Sequence, residues 1–189
     1  QIPHFDVLCA GFPCQPFSQI GYKNGFADKK DNRGNMFFEI VKIIKEKKPQ
    51  AFFLENVRNL EKHDDGKTFS VIKNTLEDLG YSFHYKLVRA SDYGLPQHRP
   101  RLFMVGFKDE STKTSGFSFP DKTDLKYTLS DIFNGKCEKD IGFTLRVGGR
   151  GSKIDDRRNW EFYRVDGDVK RLTSKEGKQM QGFPDDFIF

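Results

Sequence analysis

Between Phe5 and Phe107 the spacing of apolar residues switches period four times, and that alternation limits the fold more than any other feature of the chain. Phe5 to Ala10 is a short continuous apolar run of strand type. "GNMFFEIVKIIKEKKP" then sets Met36, Phe37, Ile40, Val41, Ile43 and Ile44 at helical spacing and stops at Pro49. Ala51 to Glu55 is a second apolar strand. "KTFSVIKNTLEDLG" puts Phe69, Ile72, Leu76 and Leu79 on one helical face, with Gly80 where a C-terminal cap belongs. "YSFHYKLVRA" and "RLFMVGF" follow as two strands joined by a loop that contains Pro96 and Pro100. Strands alternating with helices predict βαβ units, hence an α/β fold with helices on the faces of a parallel sheet and a strand pair closing one edge.

From about Lys108 the periodicity fades into short pieces rich in Gly, Asp and Arg, such as "TLRVGGRGSKIDDRRNW", which predict a small, irregular, mostly-β region. "RLTSKEGKQMQGFPDDF" reads as a helix opened by a capping box, Thr173 with Glu176, and ended by Gly182 and Pro184. The expected division is an α/β portion over 1–110, a second region over 111–170 and a return segment over 171–189 that packs on or near the first portion.

The bulk numbers exclude several classes. No apolar run approaches the roughly 18 residues that cross a bilayer, so a soluble globular protein without membrane contact is expected. The three cysteines, Cys9, Cys14 and Cys137, are odd in number and lack CxxC spacing, which argues against a disulfide framework or a zinc cage and for a reducing, cytoplasmic setting. None of the four histidines has ligand spacing, so no metal is assigned. The formal net charge is +5, and Arg146 to Arg171 alone holds eight basic against five acidic residues. That local excess suits a polyanion, although Arg157 and Arg158 alternate with Asp155 and Asp156 as a solvated ion-pair face would. The chain opens at Gln1, a few residues before its first strand and without Met, as a processed, cloned or truncated product would.

Reactive groups in open α/β sheets gather beyond the carboxyl ends of the strands. Three features fall there. Cys14 is delivered between two prolines by the turn after the first strand, Glu55 ends the second, and "PQHRPR" brings Arg99 and Arg101 to the strand starting at Leu102. A thiolate is a strong carbon nucleophile whose anionic fraction rises beside positive charge, with Arg99 a candidate source. A carboxyl buried beside it can stay protonated and donate. Such a pair suits addition to an electron-poor ring. Cytosine is one: attack at C6 is aided when N3 receives a proton, and C5 then becomes nucleophilic.

In order, "GFPCQPFS", "ENV" at Glu55 to Val57, "QHRPR" at Gln97 to Arg101 and "RLT..E....QGFPDDF" resemble four blocks of the DNA (cytosine-5) methyltransferases of bacterial restriction-modification systems. The resemblance runs almost end to end. It implies a partial Rossmann-like methyltransferase sheet, and makes 1–110 the catalytic portion and 111–170 the target-recognition region. Cys14 matches the nucleophile that adds to C6, and Glu55 the acid that engages N3 and the exocyclic amine. Arg101 matches the arginine holding the base carbonyl O2, and Arg99 its supporting partner. Pro13 and Met36 match positions lining S-adenosylmethionine, and Asn56 resembles a structural partner of its loop. Gln15 and Ser18, in the Gly-containing loop Gln15 to Asn35, resemble DNA contacts made as that loop closes on a flipped nucleotide. Arginine bidentate to guanine is the commonest specific contact, so Arg146 or Arg150 is expected to read a G·C pair.

The family's Phe-x-Gly-x-Gly cofactor loop, its acidic residue for the ribose and its final Gly-Asn-Ser-Val block have no counterpart here. The resemblance therefore implies a monomeric bacterial enzyme that methylates duplex DNA and protects it from a restriction endonuclease. The missing blocks add the expectation of a complementing polypeptide that supplies the cofactor loop, and of an apolar sheet edge that such a partner covers. The alternatives are a catalytically incomplete DNA-binding fragment or pseudoenzyme, or a tRNA cytosine-5 methyltransferase. Zinc-dependent base deamination is disfavoured, since "PCQP" lacks the second cysteine of PCxxC and no HxE precedes it.

Overall fold

A computed structural model describes residues 2–13, 36–108, 116–146, 153–184 and 186–188. These divide into two compact units, one comprising Gln1–Val88 with Arg101–Pro120 and the other Arg89–Pro100 with Asp121–Phe189.

The first unit is built on four strands, β1 (Val7–Gly11), β2 (Ala51–Val57), β3 (His84–Arg89) and β4 (Pro100–Phe107), in the order β1-β2-β4-β3. β1 and β2 are parallel, as a crossover through helix α1 (Met36–Lys47) requires, whereas β4 runs antiparallel to β2. Helix α2 (Lys67–Asp78) follows a 3-10 stretch over Arg58–Gly66. The expected helical periods bury the expected residues: Phe37, Ile40 and Ile44 of α1, and Phe69, Ile72 and Leu76 of α2, share one core with Phe52, Leu54, Leu102 and Met104. Leu54 and Met104 are register partners and Leu8 and Ala10 pack on the same core, so both described helices cover a single face of the sheet. Gly80 takes φ +88 just past α2, and Tyr81 N–H closes back on Leu76 O at 3.3 Å, the cap that Gly80 foretells. On the other face Phe117 stacks obliquely against His84 and Phe107, covering the β3–β4 side. Val7 and Phe53 remain exposed on the β1–β2 side.

The second unit has a small core of Leu129, Tyr163, Val165 and Met180. Around it lie α3 (Leu129–Phe133), the antiparallel hairpin of β5 (Phe162–Val165) and β6 (Asp168–Arg171), and α4 (Ser174–Met180). Asp166 and Gly167 both have positive φ, 54° and 90°, as a two-residue hairpin turn of matching twist demands. α4 opens on the expected capping box, with Thr173 N–H donating to Glu176 Oε2 at 2.8 Å. This division differs from the one expected. Residues 89–100 belong with the second unit, and Met180, from the segment expected to return to the α/β portion, lies in the second unit's own core. The hairpin is the only strand pair of this unit among the described residues, and the rest is irregular chain. No helix among the described residues is long and apolar enough to cross a membrane.

Candidate functional site

Antiparallel register decides what meets Glu55. β2 extends past Glu55 to Val57, two residues further than its apolar run predicts, and Val57 stands opposite Arg101 while Glu55 stands opposite Phe103. Directly opposed residues and their i+2 neighbours lie on one face, so Glu55 and Arg101 are diagonal neighbours across the strand pair. Their side chains meet: Arg101 Nε donates to Glu55 Oε1 at 2.7 Å, with Glu55 34% and Arg101 19% exposed. The carboxyl anticipated as a buried acid is thus an ion-paired one, open on one side.

On its other flank Glu55 is the parallel register partner of Gly11. A Cβ on Gly11 would stand 3.2 Å from Glu55 Oε2, so the absent side chain leaves the carboxylate its space beside the end of β1. Asn56 locks that junction. Fully buried, it donates from Nδ2 to Phe12 O at 2.8 Å and accepts from Val57 N–H through Oδ1 at 2.8 Å. Phe12 is itself buried against Phe37, with ring centroids 5.7 Å apart. The chain therefore leaves the sheet at Pro13 along a fixed line.

Cys14, Gln15, Ser18 and Arg150 lie outside the described residues. Pro13 is exposed, and Met36, the first residue of α1, is 45% exposed. Each presents exposed apolar surface, of a kind compatible with the wall of a site for an adenosine-bearing sulfonium, and neither brings a hydrogen-bond donor or a carboxylate. Arg99 belongs to the second unit, where its N–H donates to Gln97 O at 3.0 Å. Gln97 beside it is fully buried and bridges to Gly142.

In the second unit Arg146 is exposed. Arg158 closes on Asp156 through Nε–Oδ1 at 3.0 Å and Nη2–Oδ2 at 2.7 Å, the ion-pair face that the alternating charges suggest. That contact holds the Asp156 carboxyl down at about 2. Sequence reading passed over Glu161. Only 3% exposed, this residue accepts at Oε2 from both Nε and Nη2 of Arg171, each at 2.8 Å. Two signals were available: an acid inside an otherwise apolar and aromatic strand entry, and an arginine ten residues on, across an Asp-Gly turn.

The model for C-5 cytosine-specific DNA methylases matches residues 1–154. The chain belongs to that family. It is 39% identical to the type II methyltransferase M.SsoII of Shigella sonnei, over 99% of this chain and 57% of that protein. Against M.HhaI of Haemophilus parahaemolyticus the identity is 35%, over 98% of this chain and 68% of that protein. The chain thus spans little more than half the length of the first of these relatives. Among solved structures, the methyltransferase EhMeth of Entamoeba histolytica superimposes with a TM-score of 0.56 at 19% identity, covering 97% of this chain and 67% of that one. That likeness supports the partial Rossmann-like α/β fold.

Proposed function

We propose that the chain carries the catalytic and recognition portion of an S-adenosylmethionine-dependent methyltransferase acting on C5 of cytosine in duplex DNA, as a modification enzyme of a restriction system. One observation carries the reading: Glu55 and Arg101 are joined at 2.7 Å on the sheet face where Gly11 leaves room, and Asn56 fixes Phe12, which precedes Cys14 by two positions in the sequence. In this mechanism the flipped cytosine lies over the pair. As the base enters, Arg101 turns from Glu55 to hold O2, with Arg99 in support; Glu55 takes up a proton from solvent, gives it to N3 and accepts from the exocyclic amine, and the Cys14 thiolate bonds to C6. Each group draws electron density from the ring or returns it toward C5. Bound against Pro13 and Met36, S-adenosylmethionine would supply an electrophilic methyl group to C5 and leave as the neutral thioether S-adenosylhomocysteine. A water molecule then takes the C5 proton, the C5–H electron pair re-forms the C5–C6 double bond as the S–C6 bond breaks to the thiolate, and N3 returns its proton to Glu55, restoring the aromatic ring.

Gln15, Ser18, Arg146 and Arg150 complete the proposal as DNA contacts, and the working form is one copy of this chain on one duplex. A complementing polypeptide supplies the remaining cofactor contacts. β1 is the last strand on its side of the described sheet and its Val7 is 54% exposed, which favours such a partner along that edge.

Transfer of labelled methyl groups from S-adenosylmethionine, with duplex DNA and tRNA offered separately, tests this. Incorporation into duplex cytosines, abolished by Cys14→Ser and lowered about 10²-fold or more by Glu55→Gln, is expected. Transfer to tRNA alone would reassign the substrate. Duplex binding with no transfer under any complementation would leave a DNA-binding module.

A further inference from the structure

The second unit carries a groove of about 540 Å³ that shares no residue with the Glu55–Arg101 pair. Its lining joins two kinds of surface. Leu145 and Leu172, both packed against the unit's core, and Trp160 are apolar or aromatic. Arg146, Arg171 and Lys178 are cations set against one carboxylate, Glu161, which leaves an excess of two positive charges in the lining. Arg171 is the fixed member. Its side chain is 56% exposed, yet its Nε and Nη2 both donate to Oε2 of the buried Glu161 at 2.8 Å. A guanidinium already held in one orientation loses little freedom when an anion arrives.

We propose that this groove binds an unpaired nucleotide of a DNA strand, its base stacked on Trp160 beside Leu145 and Leu172 and its phosphate on Arg171 and Lys178. The lining selects the ligand. Inorganic phosphate would use the cations and leave the aromatic and apolar surface idle, and an apolar molecule would leave the cations unmatched. A nucleotide carries a flat π-face and an anion one sugar apart. Stacking on an aromatic side chain, with the backbone in a cationic groove, is how single strands are held without regard to sequence. A paired base keeps its faces inside the helix stack, so a regular duplex cannot fill the groove in this way. The groove gives the chain a hold on gapped or frayed DNA. It is distinct from the site proposed for methyl transfer, and either assignment can fail without the other.

Trp160 is the only tryptophan of the chain, so the intrinsic fluorescence of the full chain reads this groove. The test titrates that fluorescence with single-stranded oligodeoxythymidine, a blunt duplex and thymidine monophosphate. Saturable quenching by the single strand is expected, with little from the duplex at the same concentration. Equal quenching by the duplex overturns the inference, and so does thymidine monophosphate bound as tightly as the strand, which would mark a site for free nucleotides. Anisotropy of a labelled single strand then compares variants. Trp160→Ala should lose about tenfold in affinity and Trp160→Phe should keep most of it. Lys178→Gln should lower the slope of log affinity on log salt by about 0.7, the share of one phosphate contact on a single strand, and decides the matter should Trp160→Ala fail to fold. Wild-type affinity in Trp160→Ala, or an unchanged salt slope in Lys178→Gln, overturns the inference. Quenching by the single strand without methyl transfer to any duplex would uphold this site and remove the methyltransferase reading, whereas transfer without quenching would do the reverse.

Discussion

Asn56 holds the junction between β2 and the chain that leads to Cys14, and its replacement has a size that follows from the structure. Asn56→Ala removes a fully buried side chain and strands two backbone groups, the Phe12 carbonyl and the Val57 N–H, each bonded to it at 2.8 Å. An unsatisfied buried polar group costs roughly 1–3 kcal/mol, and since Val57 is 39% exposed and water can replace its bond, the loss expected is about that of the Phe12 carbonyl alone, roughly 1–3 kcal/mol. Asn56→Asp separates the two bonds. The acceptor toward Val57 survives, while an oxygen replaces the donor facing Phe12 O, so this variant should be at least as unstable as the alanine one. Urea unfolding followed by circular dichroism measures both against wild type. A loss below about 1 kcal/mol in both variants would refute the view that Asn56 fixes this junction.

Gly106→Ala should be among the most damaging small substitutions, because its Cβ would stand 2.3 Å from the Phe52 ring and from Ser82 O; about 3 kcal/mol or failure to fold is expected, read by the same unfolding assay. Acid should weaken the second unit. Hydrogen bonds from Arg158 pull Asp156 from its ordinary 3.8 to about 2, and hydrogen bonds from Thr128 likewise pull Asp131 down. Both groups therefore favour the folded state above the ordinary carboxylate range and lose that contribution as pH falls toward the folded values. A carboxyl NMR titration should place the Asp156 midpoint near 2, and Arg158→Ala should return it toward 3.8. An unmoved midpoint would exclude the Arg158 contact as the cause.

The helices were readable because their packing follows from local period: Phe37, Ile40 and Ile44, or Phe69, Ile72 and Leu76, lie on one stripe whatever they pack against. The end of β2 was not. Asn56 interrupts the apolar run, and it stays in the strand because Phe12, 44 residues away, takes its amide hydrogen. Glu55 and Arg101 could each be picked from sequence, yet their contact depends on the register Val57↔Arg101, which is fixed by long-range pairing. The extent of the second unit escaped for the same reason: what draws residues 89–100 to it are the bridges of Gln97 to Gly142 and of Tyr93 to Thr123, neither of which has a periodic signature. The Asp166–Gly167 dipeptide is itself a two-residue turn signal, and it places Glu161 and Arg171 on paired strands or just beside them.

The most direct measurement uses duplex DNA bearing 5-fluorocytosine, incubated with the chain and S-adenosylmethionine. Fluorine at C5 cannot leave as a proton does, so the sulfur–carbon bond should persist. The account predicts a denaturation-resistant protein–DNA adduct whose peptide map ends at Cys14 and which Cys14→Ser does not form. An adduct through another residue, or cytosine methylated at an undiminished rate by Cys14→Ser, would contradict it.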